Sequence, residues 1–375
     1  MKLLQILSVV NAVAGFHFIG YVDEWHSKTL PEASSASALS HLVVAFAKST
    51  FFNEPELNKT KPFTTSQELR SKYPSSKIMI AIGGWGDTNG LSDGAKDEAS
   101  RKQYAKNVAA YVDHFGFDGV DIDWEYPGGN GDDYKKIPNE QKKGEIETYP
   151  LLLQAVREAL PKDKVLSIAV PGRKPDMIAY TKEQSGKIWE SVDHVNIMSY
   201  DLMNRRDAVT AHHSSVQGSL EVVKRYKELG LDGKKINLGF AFYAKFFETQ
   251  PNCTEAKPLG CPVAVLEDPA TGADTERSGA VTFEKEPFAK PEVLKSWETA
   301  KGAAKADDVA GGQYAYDPAT HYFWTWDTPT FMERKFKDIV DAEGLGGVFV
   351  WSLGEDSAAW DHLKVLNDGA AKRRN

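Results

Sequence analysis

Phe117-Asp118-Gly119-Val120-Asp121-Ile122-Asp123-Trp124-Glu125-Tyr126-Pro127 is the stretch from which the fold can be worked outward. Its alternation is that of a β-strand, in which successive side chains point to opposite faces. Asp121, Asp123 and Glu125 share one face, and Val120, Ile122 and Trp124 share the other. With helices packed on the apolar face, the acids turn toward the inside of a closed barrel, where a purely structural strand carries Val, Ile or Leu. A buried carboxylate without compensation is costly there. Neighbouring members of the triplet have Cα atoms about 6.5 Å apart by strand rise. Ionising all three is therefore disfavoured, and at least one pKa rises. Glu125 ends the run at the carboxyl-terminal rim, where barrel enzymes keep their chemistry, and is the best candidate for a general acid. A solvated edge strand does not fit such clean alternation. A divalent metal on oxygen ligands is the other reading; aromatics and amides rather than further acids mark the remaining strand ends, so no metal is expected.

Seven more β-branched or apolar runs accompany residues 117–125: 16–22, 39–47, 77–83, 165–170, 194–200, 235–243 and 346–352. Between them lie stretches with apolar residues at three- and four-residue spacing, such as 100–115, 145–160 and 215–229. Eight strands with crossover helices predict an α/β fold of the (β/α)8 barrel type. The spacing is regular except between the seventh and eighth strands, where more than a hundred residues intervene. That is too long for one crossover and reads as a small α+β insertion, placed at 247–330, with the last helix at 329–343. One catalytic domain over 15–375 is expected, with no internal repeat.

A hydrophobic fraction of 41% and 375 residues suit a globular chain with a sizeable core. The formal charge of -8 is spread along the chain without a basic block, which disfavours a nucleic-acid partner. Met1-Lys2, the apolar run from Leu3 to Val13 and the end Ala12-Val13-Ala14 have the pattern of a secretory signal over 1–14. A buried first strand or a membrane anchor is the alternative, but the run is too short to span a bilayer. A secreted, extracellular protein without membrane attachment after cleavage, and a monomer, is expected. Cys253 and Cys261, the two cysteines, would pair in an oxidising compartment; two free thiols is the other reading. Asn58-Lys59-Thr60 and Asn252-Cys253-Thr254 fit the N-glycosylation sequon.

At the acidic strand the sequence resembles the family 18 glycoside hydrolases, the chitinases, whose signature Asp-Gly-x-Asp-x-Asp-x-Glu is matched by Asp118 through Glu125. Ile82-Gly83-Gly84-Trp85, Met198-Ser199-Tyr200-Asp201, Tyr243 and Trp351 agree with it, over nearly the whole mature chain and with most similarity to secreted fungal members. The resemblance implies hydrolysis of β-1,4-N-acetylglucosamine linkages in chitin and chitooligosaccharides with retention, the substrate supplying its own nucleophile and no cofactor being needed. It implies that Glu125 protonates the glycosidic oxygen and later activates water. Asp123 orients the acetamido group and stabilises the oxazolinium ion, and Asp121 holds the partner proton. Tyr200 bonds the acetamido oxygen, Asp201 contacts the same sugar and Trp351 forms its floor. Tyr126, Trp85, Gly84, Met198, Tyr243, Tyr21 and Phe46 complete the expected substrate-binding set.

Aromatics are by default core. Trp85 and Trp351 sit at strand ends and suit sugar stacking, whereas Trp324 and Trp326 in the insertion are weaker candidates for extending the cleft. Two departures stand out: Ala81 replaces the family's usual Ser, and Lys245 stands where many members have Arg. The first weakens hydrogen bonding around Asp121 and Asp123; the second gives a point charge without a planar fork. The rivals are an endo-β-N-acetylglucosaminidase acting on N-glycans, which would use the same carboxyls, and a chitin-binding lectin, which typically lacks the acid that Glu125 supplies here.

Overall fold

The acidic run occupies the fourth strand of a closed parallel barrel. The structure, a computed structural model, describes residues 15–374; the expected signal segment 1–14 lies outside the described residues. In chain order the strands are β1 (His17–Asp23), β2 (His41–Ala47), β3 (Lys77–Gly83), β4 (Gly119–Asp123), β5 (Val165–Pro171), β6 (His194–Met198) and β7 (Ile236–Ala241). There follow β8 (Tyr243–Glu248), β9 (Ser278–Thr282), β10 (Lys305–Asp307), β11 (Gly312–Asp317), β12 (Tyr322–Trp326) and β13 (Gly347–Trp351). The barrel closes in the order β1-β13-β7-β6-β5-β4-β3-β2, which is the expected (β/α)8 arrangement with β13 as its eighth strand.

Val120, Ile122 and Trp124 are buried under the surrounding helices, and Trp124 meets Tyr149 edge-on at 5.5 Å. Tyr149 belongs to the helix Glu145–Ala159, which packs beside Glu98–His114. The latter helix starts where the Asp97 side chain accepts from the backbone N–H of Ser100 at 2.8 Å, satisfying one of the donors a helix N-terminus leaves open. Inside the barrel a second cluster that includes Ile19, Tyr21, Val43, Met79, Ala81 and Phe349 fills the interior beneath the rim.

The insertion is built on a sheet in the order β10-β11-β12-β8-β9. Its first strand begins at Tyr243, with only Phe242 separating it from β7, because residues from Tyr243 onward already pair with β9 and β12. The sheet thus starts before the expected boundary at 247. Trp324 and Trp326 do not extend the cleft. They pack with Trp297 of the helix Pro291–Gly302, at 5.1 and 5.0 Å between rings, and form the insertion's own core. Cys253 and Cys261 are disulfide-bonded, with Cα atoms 5.6 Å apart, in the loop following β8. Asn252 is exposed and Asn58 partly so.

Where the insertion returns to the barrel, Lys335 pairs with Asp327, both fully buried. A buried pair adds little over an apolar pair of the same shape, but removing one partner strands the other charge. Lys335→Met is therefore expected to lower the unfolding free energy by about 3–5 kcal/mol, read as a shift in the urea midpoint at constant slope. A shift corresponding to less than about 1 kcal/mol would mean that the pair behaves like a solvated one.

Candidate active site

Asp121 points into the barrel and is wholly buried. It accepts from Tyr21 Oη on β1 at 2.9 Å, Ser167 Oγ on β5 at 2.5 Å and Asn196 Nδ2 on β6 at 3.2 Å. Asn237 in turn donates to Asn196 at 2.8 Å, so the carboxylate is held by a polar network drawn from four strands. Ala81, paired in register with Asp121, contributes no donor, and the hydroxyl of Ser167 from the opposite neighbour does. The weakening expected from Ala81 at Asp121 is thus compensated. Asp123, one step up β4, has a buried Oδ1 without any hydrogen-bond partner. Glu125 lies two residues beyond the end of β4 rather than on it, recessed at the floor of a cleft yet still reached by solvent.

That cleft, about 530 Å³, opens at the carboxyl-terminal end of the barrel. Tyr21, Phe46, Trp85, Asp123, Glu125 and Tyr126 line it from β1 to β4; Met198, Tyr200, Asp201, Tyr243 and Trp351 line it from the other side. Trp351 stacks on Phe46 at 5.5 Å and leans on Tyr21 at 5.7 Å, which fixes its indole. Trp85 keeps 48% of its surface exposed, as a stacking platform requires. Gly84 does not line the cleft. It has φ of 88° and sits under Phe46, whose ring would lie 2.8 Å from an added Cβ, so it is the close approach beneath the wall that demands glycine. Tyr200 falls beyond β6, which ends at Met198, and Tyr243 opens β8 instead of closing β7.

Residues 17–356 match the family described as "Glycosyl hydrolases family 18". The chain belongs to this family. It is 27% identical to Chitinase 1 of Aphanocladium album and 28% identical to Endochitinase 1 of Metarhizium robertsii, each over 315 residues and 79% of this chain. Those matches span 65% of either relative's length, just under two thirds. A crystal structure of a chitinase from Rhizomucor miehei superposes with a TM-score of 0.76 at 24% identity, covering 94% of this chain and 99% of that one. A family 18 N-acetylglucosaminidase from Paenibacillus barengoltzii gives 0.71 at 23% identity, over 94% of this chain and 99% of that one. Both likenesses show the fold.

The electrostatics of this family 18 cleft are set by burial. It raises Asp121 to about 6 against the pull of its three donors, and Glu125 to about 7 against a hydrogen bond from Tyr126, with Asp201 and Asp176 adding upward repulsion. Asp123 is pushed well above the usual carboxylate range by burial first, then by the charges of Glu125 and Asp121. Asp201 goes the other way. Burial pushes it upward, but Lys245, 3.0 Å away, and His213 together hold it below its ordinary value. Lys245 thus makes its ion pair as a point charge, and Tyr243 Oη donates to the same carboxylate at 3.1 Å. Among the described residues no ion pair reaches Asp121, Asp123 or Glu125.

One trio of potential metal-ligating side chains converges among the described residues: Asp23, His26 and Glu355. Its members engage one another, His26 Nδ1 lying 2.9 Å from Asp23, and the imidazole also approaches Glu284 of the insertion at 3.1 Å. This is an internal ion cluster tying the insertion to the barrel. The cleft further contains Trp25, Arg173, Asn204, Arg205, Arg206 and Asp274, none of which was singled out from the sequence. Trp25, two residues after β1, carried a readable signal as a rim aromatic. Asp274 carried none, because its place depends on how the insertion folds back.

Proposed function

We propose that this protein is a chitinase that hydrolyses β-1,4 linkages between N-acetylglucosamine units of chitin and chitooligosaccharides, with retention and with the substrate's acetamido group as nucleophile. The observation that carries the reading is the placement of Asp123 and Glu125, both with raised pKa and neither paired with a cation, at the floor of an aromatic-lined cleft. Glu125 gives its proton to the glycosidic oxygen, which leaves with the bonding electron pair as the acetamido carbonyl oxygen closes on the anomeric carbon. Asp123, turned to the acetamido N–H, orients that group and offsets the positive oxazolinium ion. Glu125, now a carboxylate, takes a proton from the water that opens the ring, and the free sugar leaves with its configuration retained.

Asp121, fixed by Tyr21, Ser167 and Asn196, is the group that shares a proton with Asp123 when the latter faces inward. Tyr200 donates to the acetamido oxygen, Asp201 contacts the same sugar and Trp351 supplies its floor. Export from the cell belongs to the same proposal, supported by the leader-like 1–14 segment and by a disulfide that needs an oxidising compartment.

The test is hydrolysis of chitotetraose followed across pH. The acid must be protonated to act, and Glu125 is raised from 4.5 to about 7, so kcat/KM is expected to hold through mildly acidic pH, to be halved at about 7 and to fall steadily above it. An alkaline limb near the ordinary carboxylate value of 4.5 would overturn the raised pKa of Glu125, and a limb unchanged in Glu125→Gln would remove Glu125 from the acid's role. A folded protein that binds these sugars but leaves every chitin substrate uncut would make it a lectin instead.

A further inference from the structure

The loop after β4 and the insertion after β7 touch each other. Tyr134 donates its hydroxyl to Glu267. Arg205, in the loop after β6, donates from Nε to the same carboxylate at 3.0 Å and lies 3.6 Å from Asp274 and 3.7 Å from Asp132. Arg206 donates to the carbonyls of Asn130 at 2.8 Å and Gly131 at 3.1 Å. Its guanidinium lies 4.0 Å from the centre of the Tyr134 ring and 5.5 Å from that of Trp85. At Gly272 an added Cβ would come within 2.9 Å of the Lys135 side chain, so the two segments meet there as well as at Tyr134 and Glu267.

The topology gives these contacts a consequence. β4 and β7 are three places apart in the barrel ring, with β5 and β6 between them. The shorter way round the rim from one loop to the other passes the carboxyl ends of β5 and β6, and Arg205 and Arg206 line the cleft there together with Gly172, Arg173, Met198 and Tyr200. Single exposed ion pairs hold little. Here Glu267 is 9% exposed, Arg206 15% and Arg205 22%, and the pairs share partners, so they act as one network.

We propose that Tyr134, Arg205, Arg206 and Glu267 form a bridge that closes the cleft over β5 and β6 and makes the enzyme cut chitin from chain ends. The proposal rests on the chitinase reading. An internal stretch of polymer cannot be lowered sideways past a bridge, whereas a free end can be threaded beneath it until it meets Trp85, whose indole Arg206 holds in place.

The experiment follows viscosity and reducing ends together in soluble glycol chitin. Wild type is expected to release reducing ends while viscosity falls slowly. In Tyr134→Phe/Glu267→Ala, outside the cleft lining, viscosity loss per bond cut is expected to rise at least about threefold, with chitotetraose turnover within about twofold of wild type. Arg205→Met, which keeps the apolar stem, is expected to shift the same ratio in the same direction and serves if the double variant is unstable. Reducing ends with a steep viscosity drop from wild type, or an unchanged ratio in the variants, overturns the bridge and leaves the chitinase reading standing. No reducing ends from wild type overturns that reading, and the proposal with it.

Discussion

Glu125→Gln is expected to lower kcat/KM on chitotetraose by about 10²–10⁴-fold, the range typical of a positioned general acid. The substitution keeps the shape of the side chain and its place beside Tyr126, and removes only the transferable proton. The loss should be smaller on an aryl chitobioside, whose leaving group departs with less help, since only the later activation of water then depends on Glu125. That split between substrates separates acid catalysis from simple damage to the cleft. A variant within about tenfold of wild type on chitotetraose would show that another group donates the proton. Unfolding midpoints should be unchanged or slightly raised, because a recessed carboxyl whose pKa is raised to about 7 is relieved of its charge by the amide.

The barrel was legible because both of its periods are written in the chain. Alternation over residues 117–125 and spacing of three and four over 100–115 are each imposed by burial on one face. The ends of strands were not. Glu125 continues the acidic alternation of its run, and Tyr200 and Tyr243 the apolar and aromatic character of theirs, yet β4, β6 and β7 stop at Asp123, Met198 and Ala241. Side-chain type does not reveal where ladder pairing ends as the strands splay at the rim. For the site this matters: the groups proposed to touch substrate stand either on the last residue of a strand, as Asp123 and Trp351 do, or on the first residues past it, as Glu125 and Tyr200 do.

The insertion shows the limit more sharply. Trp324 and Trp326 alternate like cleft aromatics, but what decides their fate is Trp297, nearly thirty residues upstream on a helix that packs over them. Arg205 and Arg206 follow the Met198–Asp201 segment after three residues, and nothing local marks them as lining. They become so only when Glu267 and Asp274 arrive from the insertion. Ala81 was legible in part, since Asp123 does have an oxygen without a partner. The missing hydroxyl looked like a loss for Asp121, and the compensating Ser167 lies on β5, whose register with β4 is a tertiary fact.

Asp123→Asn is expected to lower kcat by about 10²–10³-fold, the cost of removing one oriented stabiliser of transition-state charge. Asp123 differs from Asp121 in a way that bears on this. Three donors hold Asp121 in place, while one oxygen of Asp123 is buried with no partner at all. An unsatisfied buried oxygen costs free energy that a substrate N–H can recover, so ligand and side chain are matched before chemistry begins. Asparagine can still accept that N–H, and KM is expected to change little; what it lacks is the negative charge facing the oxazolinium ion. The alkaline limb of kcat, set at Glu125 by burial and by Asp201 and Asp176, should stay in place. A variant with kcat within about threefold of wild type would remove Asp123 from the mechanism.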